Sequence, residues 1–197
     1  MKKGIFIVLY GVNSTGKSTQ NDLLTKRLQN SGHAVTSLKY PLYDIEPSGP
    51  MINEYLRRDN PLKLTPREFQ IIQVVNRTQY DNELRRLLAE GTHIVAEDYT
   101  GTGIAWGMAA GIDKRFLVRL NTHLLREDIG ILFNGKQFID GKEDEHTHEE
   151  DDDLIVRSYS AHRELASDSD WYIIASDKAP NVVHAEVWRI VESKLNT

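Results

Sequence analysis

The sequence contains no cysteine. That excludes a disulfide scaffold, a thiolate metal site and a thiol nucleophile, and it suits a reducing interior, so a cytoplasmic location is expected. Long hydrophobic runs are also missing: nothing approaches the roughly 20 apolar residues a membrane helix needs. The N-terminus pairs a basic start, Met1-Lys2-Lys3, with an apolar run from Ile5 to Leu9. That run is short, lacks a small-residue cleavage site and leads directly into a glycine loop, so it reads as a strand and not as a signal peptide. No run of basic residues interleaved with aromatics marks a nucleic-acid groove. No internal repeat is present, and 197 residues fit one domain, 1–197, able to bury a core unaided.

The net charge of -5 is concentrated in one segment. Between Asp140 and Asp153 stand nine acidic residues and a single lysine, Lys142; without that stretch the chain holds 23 basic and 20 acidic residues. The body is therefore mildly cationic, which suits phosphate binding. The acidic stretch is too polar to supply core and reads as a mobile, lid-like surface segment over about 134–153. Its His146-Thr147-His148 is a weak metal signal, since no ordered fourth ligand can be named.

Elsewhere, apolar runs bounded by turn residues alternate with longer amphipathic stretches, the pattern of a parallel sheet covered by helices. Strands are expected at Ile5 to Tyr10, Ala34 to Lys39, His93 to Glu97, Asp128 to Phe133 and Trp171 to Ala175. Helices are expected at Lys17 to Asn30, from Thr65-Pro66-Arg67-Glu68 to Glu90, around Asp113 to Leu124 and Asp153 to Ser167, and from Val182 to Leu195. In the second of these, Thr65 caps, Pro66 takes the first helical position and Glu68 completes a capping box.

One motif dominates. Gly11-Val12-Asn13-Ser14-Thr15-Gly16-Lys17-Ser18 follows a strand rich in Ile, Val and Leu and opens a helix, the context in which Gly-x4-Gly-Lys-Ser becomes a phosphate-binding loop. Glycines let backbone N–H groups converge on an anion, and the helix N-terminus adds positive potential. In such a loop Lys17 can bridge the terminal phosphates of ATP, and the Ser18 hydroxyl can hold Mg2+. No Asn-Lys-x-Asp guanine motif accompanies the loop, which argues against a regulatory GTPase, and a chain of this length leaves little for an ATP motor.

From here the residues resemble the thymidylate kinases over nearly the whole chain. The similarity rests on Gly11 to Gln20 as the loop, Leu38-Lys39-Tyr40-Pro41 as a strand end with an aromatic-proline pair, and Gly49 to Leu56 as the helix after it. It extends to Asn76-Arg77 and to Asp177-Lys178-Ala179 followed by Val182 to Glu186. The resemblance implies an α/β, three-layer P-loop kinase fold with a five-stranded parallel sheet flanked by helices, and a homodimer. It also implies transfer of the ATP γ-phosphoryl group to a nucleoside monophosphate, dTMP first, with Mg2+.

The residues expected to meet ATP are Gly11, Asn13, Ser14, Thr15, Gly16, Lys17, Ser18 and Thr19, with Arg157, Asp177, Lys178 and Ala179. Those expected to meet the acceptor are Tyr40, Pro41, Phe69, Gln73, Arg77, Tyr99 and Gly103. Lys17, Glu97 and Asp98 are the catalytic candidates, with Ser18 and Glu97 toward the metal. The chain departs from the family where Asp-Arg-Tyr/His becomes Glu97-Asp98-Tyr99, where no arginine follows Pro41, and where Gln73 replaces a stacking aromatic. Lys39, Arg57 and Arg58 are the cations nearest in sequence to the acceptor side, and the glycines of Thr100 to Gly107 permit close backbone approach to a ligand. Two alternatives stay open: a deoxynucleoside kinase with Asp44 or Glu46 as base, and a noncatalytic ATP-binding protein.

Overall fold

A computed structural model describes residues 2–135 and 152–195. The five strands are β1 (Phe6–Tyr10), β2 (Val35–Lys39), β3 (His93–Glu97), β4 (Ile129–Asn134) and β5 (Tyr172–Ala175). They form one parallel sheet in the order β2-β3-β1-β4-β5. The helices are α1 (Lys17–Asn30), α2 (Ser48–Arg57), α3 (Pro66–Ala89), α4 (Thr100–Ala109), α5 (Lys114–Leu120), α6 (Asp152–Asp168) and α7 (Pro180–Leu195). The sheet and its flanking helices are as expected.

Strand β1 is buried along its whole length, and alternation sends its residues to two cores. Phe6, Val8 and Tyr10 join residues of α3, α4, α5 and α6, whereas Ile7 and Leu9 join Leu24 and Leu28 of α1 and Val183, Val187 and Val191 of α7. The molecule therefore has three layers. Helix α3 begins where the sequence predicts, with Thr65 accepting from the Glu68 N–H and Glu68 accepting from the Thr65 N–H.

Two expectations are corrected. Thr100 to Gly107, whose glycines are expected to let a ligand approach the backbone, is part of α4, and those glycines are buried against protein side chains. A Cβ at Gly101 would lie 2.2 Å from the Trp171 ring, and one at Gly107 would lie 2.8 Å from Leu117. The small residues thus let a helix sit tightly on its neighbours, and Trp106 is buried with them. The helix expected to reach Leu124 stops at Leu120. Helix α2 covers the expected Gly49 to Leu56 and is held by Ile52 and Leu56, which pack on Phe69 of α3. The acidic segment and its histidines lie almost entirely outside the described residues.

Candidate active site

After β1 the chain turns through Gly11 to Gly16 before α1 begins. Gly11, Ser14 and Gly16 have φ of 141°, 59° and 88°. At Gly11 a Cβ would lie 2.9 Å from the Phe133 carbonyl oxygen, so only glycine fits. Thr15 Oγ1 donates to Val12 O at 2.9 Å and braces the turn. Lys17 is buried, and its Nζ donates to Gly11 O and Val12 O, each at 2.9 Å. Ser18 and Thr19 are exposed on the first turn of α1, beside amides that have no intrahelical partner.

Two acids end the neighbouring strand. Alternation alone would send Glu97 and Asp98 to opposite faces, but Asp98 takes a φ of 61°, a left-handed conformation that aspartate tolerates. Its Oδ1 lies 3.8 Å from Lys17 Nζ and accepts from Thr102 Oγ1 at 2.8 Å. Burial pushes the Asp98 carboxyl up to about 6, with Lys17 pulling it down and the Glu97 charge adding to the rise. Glu97 is buried too, and its Oε1 stands 3.5 Å from Lys39 Nζ, its register partner on β2. The carboxyl edge of the sheet therefore carries two acid–lysine pairs side by side. Open α/β sheets hold their ligands at that edge.

Toward α3, Arg77 is 3 % exposed, and its Nε and Nη1 have no hydrogen-bond partner among the described residues. The hydroxyls of Tyr40 and Tyr99 are equally buried and unpartnered, and the two rings lie 5.1 Å apart. Gly103 belongs to this group by shape, since a Cβ there would lie 2.7 Å from Arg77 Nη2. Gln73 is buried one turn before Arg77 on α3. Phe69 instead stacks on Tyr55, centroids 3.8 Å apart at 9°, in the satellite core under α2. Beside Arg77, Asn76 accepts from Leu42 N and donates to Leu42 O and Ser48 Oγ, which fixes the chain after Pro41.

Just past the loop, Gln20 Nε2 donates to Pro180 O at 2.9 Å and ties the start of α7 to α1. Asp177, Lys178 and Ala179 just before it are exposed, and Lys178 pairs with Glu186 at 2.7 Å. Arg157 is exposed on α6. The oxygen set available to a metal consists of the Ser18 hydroxyl and the carboxylates of Asp98 and Glu97, and among the described residues no group of three or more His, Cys, Asp and Glu is built to hold an ion. Few protein ligands beside a phosphate loop suit Mg2+, which keeps waters and takes phosphate oxygens.

A sequence profile described as Thymidylate kinase matches residues 9–187. The chain belongs to the thymidylate kinase family. Thymidylate kinase of Dictyostelium discoideum is 28% identical over 197 residues, covering 98% of this chain and 87% of that protein. Thymidylate kinase of Homo sapiens is 24% identical over 202 residues, covering 100% and 93%. Among solved structures, thymidylate kinase from Candida albicans superposes with a TM-score of 0.83 at 22% identity, covering 98% of this chain and 93% of that one. That likeness establishes the P-loop kinase fold. The protein is an ATP-dependent nucleotide kinase, and among its described residues no helix is long and apolar enough to cross a membrane.

Two buried polar residues of this kinase escaped the motifs. Asn21 joins α1 to the sheet, with Nδ2 donating to Leu38 O and Val95 O and Oδ1 accepting from Ser37 Oγ at 2.7 Å. His162 lies on the buried stripe Ile155, Ser158, Ala161, His162, Leu165 of α6. The signal for both was a polar residue at a buried helical position, Asn21 with Gln20, Leu24 and Leu28 on α1 and His162 with Ser158, Ala161 and Leu165 on α6.

Proposed function

We propose that the protein transfers the γ-phosphoryl group of ATP to a nucleoside monophosphate, with dTMP as the acceptor. The observation that carries this reading is Arg77: a buried guanidinium with two unpartnered nitrogens. Leaving such donors unmet costs free energy, and a nucleobase carbonyl held there would accept from them. Gly103 provides the room in which that guanidinium lies.

Lys17 stabilises the charge that spreads over the transferring phosphoryl group, and the loop amides supply the rest of a preorganised field. In leaving its two loop carbonyls for phosphate, Lys17 stays beside Asp98, which holds it by charge. Lys39, steadied by Glu97, is the cation offered to the acceptor phosphate in place of the family's arginines. Ser18 with Glu97 or Asp98 would hold Mg2+, which supplies charge neutralisation on the phosphates. Asp44 and Glu46 are exposed on the loop after Pro41, so the position of a hydroxyl-activating base is not enclosed with Arg77.

The test is a coupled ADP assay with ATP and dTMP, dCMP, dGMP, AMP and thymidine as acceptors. Turnover greatest with dTMP is expected; faster turnover of thymidine would replace this reading with a nucleoside kinase, and ATP binding without acceptor-dependent ADP would leave a noncatalytic protein. A homodimer is proposed through α3. Of its apolar residues, Val74 is in the core and Ile72 packs on the α2 cluster, whereas Ile71 and Val75 are 40% and 41% exposed and share one face.

A further inference from the structure

His162 is 1% exposed, and its surroundings fix its chemistry. Nδ1 lies 2.8 Å from the Ser158 carbonyl oxygen, which can only accept, so the proton sits on Nδ1. Nε2 is then a bare acceptor, buried and without a partner among the described residues. Burial holds the imidazole down to about 4, and the Lys17 charge adds to that, so it is neutral at physiological pH.

Its place in the fold says what can reach it. Helix α6 runs from the ligand-binding edge of the sheet back to the start of β5, on the same sheet face as α3 and α4. Its first half is pinned to the end of β4 by a hydrogen bond from Tyr159 Oη to Asn134 Oδ1. His162 follows by one turn, behind the same strand end that backs the phosphate loop, where a Cβ on Gly11 would lie 2.9 Å from the Phe133 carbonyl oxygen. It shares the α3/α4/α6 layer with Arg77, Tyr99 and Gly103.

A neutral acceptor selects its ligand by elimination. Phosphate oxygens are themselves acceptors at neutral pH and cannot satisfy it. A nucleotide has two kinds of donor, sugar hydroxyls and base N–H groups. Arg77 on α3, a donor-only group, suits base carbonyls, and Lys17 marks the phosphate end. Between those ends lies the sugar.

Building on the monophosphate-acceptor reading above, we infer that His162 is a substrate-binding residue whose Nε2 accepts a hydrogen bond from the sugar hydroxyl of the acceptor nucleotide. A 3′-hydroxyl is the donor a deoxynucleotide has to give.

The experiment compares dTMP with 3′-deoxythymidine monophosphate, identical except for that hydroxyl, in wild type, His162→Leu and His162→Gln. The wild type is expected to favour dTMP in kcat/KM by roughly 5- to 100-fold, the range set by one buried acceptor left unsatisfied. In His162→Leu that preference collapses toward one, through loss on dTMP alone, with KM for ATP unmoved. In His162→Gln, whose amide oxygen is again an acceptor, part of it returns. A preference in His162→Leu equal to the wild type's would overturn the assignment. As a check free of substitutions, the 15N shift of His162 Nε2 in the wild type moves on adding dTMP and not on adding the 3′-deoxy nucleotide; equal responses would overturn it too. Absence of any acceptor-dependent ADP in the wild type would instead remove the monophosphate-kinase reading, whereas turnover without hydroxyl discrimination would sink only the role of His162.

Discussion

At the scale of single residues, the proposed site turns on two lysines and the acids paired with them. Lys17→Met keeps the aliphatic stem that the loop buries and removes only the ammonium. A fall in kcat of at least about 100-fold, with a melting temperature within a few degrees of wild type, is expected from the loss of one preorganised charge; ADP release and circular dichroism measure the two. Asp98 carries a pH signature. Its carboxyl is raised to about 6 by burial, so the free enzyme loses the ionised partner of Lys17 as the pH drops through that value. An acid limb in kcat/KM with an apparent pKa near 6 should follow, because that ratio reports the unbound enzyme. In Asp98→Asn the limb should vanish from whatever activity is left. Asparagine is the right probe, since it tolerates the left-handed backbone that Asp98 occupies.

At the scale of elements, α4 separates function from packing by the neighbours of its glycines. At Gly103 an added methyl meets the far end of Arg77, which can swing aside. Gly103→Ala should therefore fold normally and raise KM for the acceptor several-fold, leaving KM for ATP in place. At Gly101 the same methyl meets the Trp171 ring, which stacks on Tyr10 at 3.9 Å and has nowhere to go. Gly101→Ala should lower stability by about 1–3 kcal/mol, the usual cost of overpacking. Urea melts and initial rates on the two variants test the contrast. Similar acceptor KM values in both would show that the guanidinium is not placed by Gly103.

At the scale of the whole molecule, buried histidines make folding sensitive to acid. His93 accepts the Ile5 N–H at Nδ1 and meets His33 through Nε2, and burial lowers its pKa; His162 is lowered to about 4. A lowered histidine pKa contributes stability above its unfolded value, near 6.5, that is lost as the pH falls toward the folded value. For His162 alone the loss by pH 4 is about 3 kcal/mol. Asp98 acts oppositely: its raised pKa means that folding gains as the pH falls from about 6 toward 4. Denaturant midpoints between pH 7 and 4.5 should fall for the wild type, fall less for His162→Gln and fall more for Asp98→Asn. Assembly is tested at this scale as well. Ile71→Asp with Val75→Asp should convert a dimer to a monomer by light scattering; an unchanged mass would place the interface elsewhere.

The turn of the glycine loop and the sheet were legible in the residues, because both rest on local rules. Gly11 needs a positive φ and has no room for a Cβ, the loop must precede a helix, and buried parallel strands must be apolar on both faces. The capping box of α3 is local in the same way. Helix α4 was not among the expected helices, since glycine and threonine are weak helix formers and only the tertiary structure shows Trp171 and Leu117 pressing against its glycines. Nor was the partnership of the acids: alternation in a strand separates Glu97 from Asp98, and only the left-handed turn at Asp98 brings it to Lys17 while Lys39, distant in sequence, comes into register with Glu97. The sequence by itself determined the phosphate loop, the sheet and the family pattern, all written in short-range chemistry. Which charges meet, which glycines serve packing, and that the histidine of α6 is buried with one ring nitrogen unpartnered were decided by tertiary structure, because burial and pairing are set by neighbours from elsewhere in the chain.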